Sequence, residues 1–95
     1  MPVLLIQYEL KSPNQDYSTF EGMLHSYPNI KVSDSMILLQ SADPPREFFD
    51  GIWPFVDQHD QVLIFEVNSQ CYINGNEELM QWVLEHCKAC DPVSA

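Results

Sequence analysis

The sequence predicts an α+β domain in which helices pack on a four-stranded antiparallel sheet, and three features lead there. Stretches that alternate every second residue in Val, Ile, Leu and Phe recur between segments whose apolar residues fall three and four apart. Their order along the chain is strand, helix, strand, strand, helix, strand, with one more helical segment at the end. The 95 residues are 45% apolar and 19% charged, a composition that folds around one modest core and does not stay disordered.

The first strand is Val3 to Leu10, with Leu4, Ile6, Tyr8 and Leu10 on one face and Val3, Leu5, Gln7 and Glu9 on the other. A polar stretch, Lys11 to Gln15, includes Pro13. Asp16 then stands where it can cap a helix whose apolar stripe is Tyr17, Phe20, Leu24 and Tyr27 and which Pro28 ends. Gly22 inside that helix costs about 1 kcal/mol relative to Ala. Ile30 to Val32 and Met36 to Gln40 make an antiparallel hairpin about a turn at Ser33, Asp34 and Ser35.

Asp43 can cap a second helix with Pro44 and Pro45 near its first turn, where a missing N–H does no harm. Phe48, Phe49, Ile52 and Val56 form its stripe, and Pro54 is expected to kink the helix or confine it to its first part. After a polar connection, Asp57 to Gln61, comes the strand Val62 to Val67. Asn68 to Gly75 surrounds Cys71, Tyr72 and Ile73 with Asn and Gly and reads as a loop or a short edge strand. Asn76 caps a last helix bearing Leu79, Met80, Val83, Leu84 and Cys87 on one face. Asp91 to Ala95 reads as a loose tail, so the single domain is expected over residues 1–90.

This order is that of the ferredoxin-like fold, βαββαβ, here with an additional C-terminal helix. Two helices cover only one face of such a sheet, yet the strands are apolar on both: Val3 and Leu5 back onto Leu4 and Ile6, Ile37 and Leu39 onto Met36 and Leu38, and Leu63 and Phe65 onto Val62 and Ile64. The second face needs a cover. Either the last helix folds back over it, or the same face of another copy meets it across a two-fold axis. A homodimer is the expectation, with Val3, Leu5, Ile37, Leu39 and Trp82 as its interface. Trp82 enters because it lies off the last helix's main stripe.

Fourteen acids against four bases give a net charge of −10, which argues against direct binding of nucleic acid or of anionic membranes. No run approaches the ~20 apolar residues that span a bilayer, and the first residues lack the basic segment of a secretory signal, so a cytoplasmic location is expected. Three cysteines, Cys71, Cys87 and Cys90, are an odd number for a disulfide framework, and reduced thiols are expected.

Several segments together resemble the small SinR-like proteins related to the second CRISPR-associated protein family. Val3-Leu4-Leu5-Ile6-Gln7-Tyr8-Glu9-Leu10, followed by Pro13 and Asp16-Tyr17, is similar to that group's first strand, a tyrosine then an acid with a later Asp-Tyr. Asp34 to Ser41 resembles its hairpin and third strand, with Ile37 where Trp is frequent. Asp60 to Val67 resembles a fourth strand that opens on Asp after a helix containing Pro. The likeness spans roughly residues 3 to 67 and implies a ferredoxin-like homodimer. It also implies a divalent metal, Mg2+ or Mn2+, held by a paired acid at the end of the first strand and supporting phosphodiester cleavage. That acid is Asp in CRISPR-associated relatives and Glu9 here, its carboxylate one methylene farther from the backbone. Lys11, Lys31, Arg46 and Lys88 are too few and too scattered to make a groove for a polyanion.

Other groups weigh toward ordinary roles. Cys87 and Cys90, preceded by His86, form a C-x-x-C that closes a helix, whereas a thioredoxin-like pair opens one, and a zinc site would need four ligands. His25 and His59 stand in polar surroundings as surface residues. Glu66, an acid within an apolar strand, is expected at a solvated edge. Asp43, Glu47, Asp50, Asp57 and Asp60 form an acidic band that reads as a solvated face and, more sharply, as a DNA mimic offered to a basic protein. The resulting expectation is a non-catalytic assembly or binding module with a degenerate nuclease-like site. The alternatives are a divalent-metal-dependent nuclease acting through paired Glu9 residues and an acidic mimic inhibiting a basic protein partner.

Overall fold

The computed structural model describes residues 2–11, 16–67, 71–87 and 90–92, with 71–73 and 90–92 described in backbone only. The elements are β1 (Val3–Glu9), α1 (Ser18–His25), β2 (Asn29–Ser33), β3 (Met36–Gln40), α2 (Pro45–Ile52), a single 3-10 turn (Trp53–Phe55), β4 (Gln61–Val67), β5 (Cys71–Ile73), α3 (Glu77–His86) and β6 (Cys90–Pro92). The fold is α+β. Four strands form an antiparallel sheet in the order β2-β3-β1-β4, and β5 pairs with β6 in a separate parallel ribbon. The segment that read as a loop or edge strand is thus a strand, paired with what was expected as the start of a loose tail; residues 93–95 lie outside the described residues, as does Pro13. Among the described residues no helix is long and apolar enough to cross a membrane.

Register sorts the side chains of the sheet. Leu4 stands opposite Leu39, and Ile6 opposite Ile37 on β3 and Ile64 on β4, so these share one face with Tyr8 and Val62. Against that face α1 brings Phe20 and Leu24, and α2 brings Phe48 and Ile52, in one buried cluster. Tyr8 meets Phe20 edge to face, with ring centroids 5.3 Å apart. Tyr17 and Tyr27, the outer members of the α1 stripe, are half-buried.

The opposite face carries Val3, Leu5, Gln7 and Glu9 of β1, Leu38 and Met36 of β3, and Val67, Phe65, Leu63 and Gln61 of β4. Here α3 packs at one end only: Val83 and Cys87 bury Val3, with Leu38, Val67, Leu79 and Trp82 at the margin. Ile37 and Leu39, expected on this face, are instead fully buried beneath α1 and α2. Alternation within a strand pairs Ile37 with Leu39, but only the register with β1 says which side of the sheet they take, and a shift of one residue exchanges the sides.

Helix ends follow local chemistry. Asn76 caps α3 as expected, its side-chain oxygen accepting from Leu79 N–H at 2.8 Å, with Glu77 and Glu78 in the first turn. α2 begins differently. Pro44 is its N-cap, and the Asp43 N–H donates to Ser41 Oγ at 3.0 Å. Ser41 is 1% exposed, and its backbone N–H donates to the Pro2 carbonyl at 3.0 Å. At the other end Pro54 confines α2 to Pro45–Ile52, and the chain continues as the 3-10 turn. Asp16 lies just ahead of α1, whose N-cap is Tyr17, and accepts from Ser18 N–H at 2.9 Å.

A Cβ at Gly22 meets nothing within 4 Å, so Gly22→Ala is expected to stabilise the domain by about 0.5–1 kcal/mol, read as a raised urea midpoint at unchanged slope. Asn76→Ala is expected to cost about 1 kcal/mol in the same measurement, and Asn76→Asp to retain most of that stability.

Candidate functional site

Glu9 ends β1 opposite Gln61, with its side chain 52% exposed and 4.0 Å from Lys11 Nζ. It borders an open cleft of about 470 Å3 that also reaches Tyr8, Lys11, Glu21 and Asp34. Tyr8 closes the floor with its ring in the core. Burial, then the charges of Glu21 and Asp34, raise the pKa of its phenol above the ordinary value, so the hydroxyl stays protonated at neutral pH. Glu9, Glu21 and Asp34 do not converge: among the described residues no three His, Cys, Asp or Glu side chains are grouped to hold a metal ion.

Asp60, expected in a solvated band, does something else. Its Oδ1 accepts from the Lys11 N–H at 2.7 Å and the Tyr17 hydroxyl at 2.8 Å, and its Oδ2 accepts from the Asp57 N–H at 2.7 Å. Partial burial alone would raise its pKa, but these hydrogen bonds and the nearby His59 outweigh it and hold the carboxyl below the usual range. One carboxylate thereby ties the exit of β1, the entry to α1 and the turn before β4. Asp57 serves the same turn, its Oδ1 accepting from His59 N–H at 2.8 Å. Of the acidic band, Asp43, Glu47 and Asp50 are exposed.

The remaining expected residues divide. Leu5 lies half-buried on the sheet face that α3 leaves open, whereas Val3 is 3% exposed beneath Val83 of its own chain. Trp82 belongs to the α3 packing face and stacks on His86 at 4.2 Å between ring centroids. His86 Nδ1 lies 2.9 Å from the Trp82 carbonyl, which only accepts, so that nitrogen carries the proton. The Cys87 thiol is buried toward Val3 and Val83 while His86 turns to Trp82, so these neighbours do not converge as metal ligands. The thiols of Cys71 and Cys90, and Lys88, lie outside the described residues. His25 and His59 are exposed, and Glu66 is exposed on the edge strand β4. Leu84, expected in the α3 stripe, is 45% exposed.

The uncovered part of the sheet is an open apolar surface. Phe65 stands opposite Leu5, and Leu63 opposite Gln7, at 57% and 44% exposure. Their strand pattern was legible, but their exposure depends on how far α3 reaches. No family model matches the chain, and no curated protein matches it.

The Asp60 tie carries a pH signature. Its pKa is lowered on folding, so its stabilisation is present above the unfolded-state value near 3.9 and is lost as pH falls through the folded value. Asp60→Asn, which keeps one acceptor oxygen and loses the other, is expected to lower stability by about 1 kcal/mol at pH 7, with the gap to the parent chain closing in acid. An equal gap at pH 7 and pH 2.5 refutes the assignment.

Proposed function

We propose that this chain is a ferredoxin-like assembly module that pairs with a second copy through the half of its sheet that α3 leaves open. The strand order supports the fold reading: β1 and β2 run in the same direction with β3 between them, β3 and β4 likewise with β1 between them, and one helix on the same face serves each crossover. The observation that carries the pairing is the exposure of Leu63 and Phe65 beside half-buried Leu5 and Met36 on a sheet whose other face is buried.

Magnitudes limit its strength. Full burial of a Leu or Phe side chain contributes about 1.5–3 kcal/mol, so these half-exposed ones contribute about 1 kcal/mol each. Four of them across a two-fold axis give about 4 kcal/mol, at the lower end of the association cost of roughly 4–15 kcal/mol. The contact therefore extends to Leu5 and Met36 and forms in a concentration-dependent way.

Glu9 shares this face and lies at its margin, which keeps the SinR-like reading of a former nuclease position in view. Catalysis is the weaker reading, because four bases against fourteen acids offer little to hold a polyanion, and among the described residues no three His, Cys, Asp or Glu side chains are grouped to hold a metal ion.

Light scattering across a concentration series is expected to show the mass rising toward twice that of the chain, and Phe65→Glu to hold it at one chain with unchanged circular dichroism. A single-chain mass for the parent at the highest concentration refutes the pairing. Incubated with Mg2+ or Mn2+ and single- or double-stranded nucleic acid, the chain is expected to leave the substrate intact. Cleavage lost in Glu9→Gln would establish the nuclease instead.

A further inference from the structure

From the far end of α2 we infer a second docking surface, independent of the sheet pairing, for an arginine-bearing basic segment of another protein. Trp53 and Phe55, in the 3-10 turn that Pro54 forces after α2, are 46% and 39% exposed. Phe49 backs the Trp53 ring at 5.3 Å between centroids and 30° between planes. Two partly exposed aromatic rings on a proline-containing turn form a knob of the residue type that anchors protein contacts.

Charge selects the occupant. The knob stands at the C-terminal end of α2, the negative end of the helix dipole, and the helix has no basic residue in its last turn to offset it. Exposed Glu47 and Asp50 lie on the same helix, and Asp57 follows the turn; Arg46, one turn ahead of Asp50, is the helix's own cation. An arginine side chain suits this setting, its guanidinium stacking on the Trp53 ring while its charge complements the acids of α2. A second copy of this chain would bring Glu47, Asp50 and Asp57 against themselves, and nucleic acid or an anionic bilayer is repelled by the net charge of −10.

The test uses the full chain with Trp82→Phe, which leaves Trp53 as the sole tryptophan. The probes are synthetic helical peptides of leucine and alanine with arginine, lysine or glutamate at the charged positions. The arginine peptide is expected to shift Trp53 emission to shorter wavelength and to bind more tightly than the lysine peptide, with affinity falling as salt rises. By calorimetry, Trp53→Ala is expected to weaken it at least about tenfold, the size of an interface anchor. A triple variant of α3, Glu77→Gln, Glu78→Gln and Glu85→Gln, removes three negative charges away from the knob and is expected to bind within about twofold. Equal binding by Trp53→Ala, an equal loss in the α3 variant, or equal binding of the glutamate peptide overturns the proposal. The mass by light scattering is expected to be the same in Trp53→Ala as in the parent, and a Trp53→Ala chain that loses self-association assigns the knob to a second copy and overturns it as well.

Discussion

The double pairing of β1 constrains the rest of the domain. It hydrogen-bonds to β3 on one side and β4 on the other, so the face of each of its residues is fixed twice and a slip in register would turn Leu4 and Ile6 out of the core. Because Val3 and Leu5 are as apolar as Leu4 and Ile6, the strand needs cover on both faces. α1 and α2 supply it completely on one side. On the other, α3 has ten residues, so it is ~15 Å long and ~10 Å across, whereas a four-strand sheet is ~19 Å wide with seven-residue strands ~23 Å long. One such helix shields well under half of that area. Its position over Val3, Leu38 and Val67 leaves Phe65 and Leu63 outside its footprint.

Signals that act within a few residues were legible in the sequence. Asn76 as the α3 cap, Pro54 as the limit of α2, the hairpin at Asp34 and Ser35, and the Phe20–Leu24 and Phe48–Ile52 stripes all depend on local backbone geometry or helical spacing. Relations between distant segments were not. Ile37 and Leu39 take the side opposite to the one expected, because alternation fixes the relation of side chains within β3 and leaves its relation to β1 open. Trp82 and Leu84 exchanged places in the expected α3 face for the same reason: the crossing of helix over sheet decides which flank of a broad stripe is pressed inward. Asp43 lost the cap of α2 to Pro44, whose fixed backbone suits that position, and the buried partner of the turn is Ser41, which carries no distinguishing pattern in the sequence.

The acids are not one coat. Asp57 and Asp60 are half-buried and each accepts from a backbone N–H of the turn that delivers β4 to the sheet. Spacing placed them in a series with Asp43, Glu47 and Asp50, but the Asp60 side chain reaches residues 49 and 43 positions away, Lys11 and Tyr17. The Asp16-Tyr17 and Asp60 features of the SinR-like resemblance thus have a structural use in this chain that requires no catalysis. The tyrosine hydroxyl and the aspartate carboxylate fasten the start of α1 to the start of β4.

Among the described residues Phe65 and Leu63 on the sheet and Trp53 and Phe55 after α2 are exposed, and their surroundings favour the different occupants proposed for them. Around Phe65 and Leu63 the sheet presents Gln7 and Gln61, joined by a side-chain hydrogen bond of 3.3 Å, and the one acid of that row, Glu9, sits at the strand end beside Lys11. A two-fold contact there apposes apolar and amide groups and desolvates little charge, a condition that self-pairing requires because every group meets its own kind. Asp50 and Asp57 flank Trp53 and Phe55 along the chain at the negative end of α2, and apposing two such ends would bring like charges together. Like charges directly apposed across an interface cost several kcal/mol. In the proposed arrangement, the acidic surroundings that disfavour self-pairing at the α2 end are those that favour a cation there.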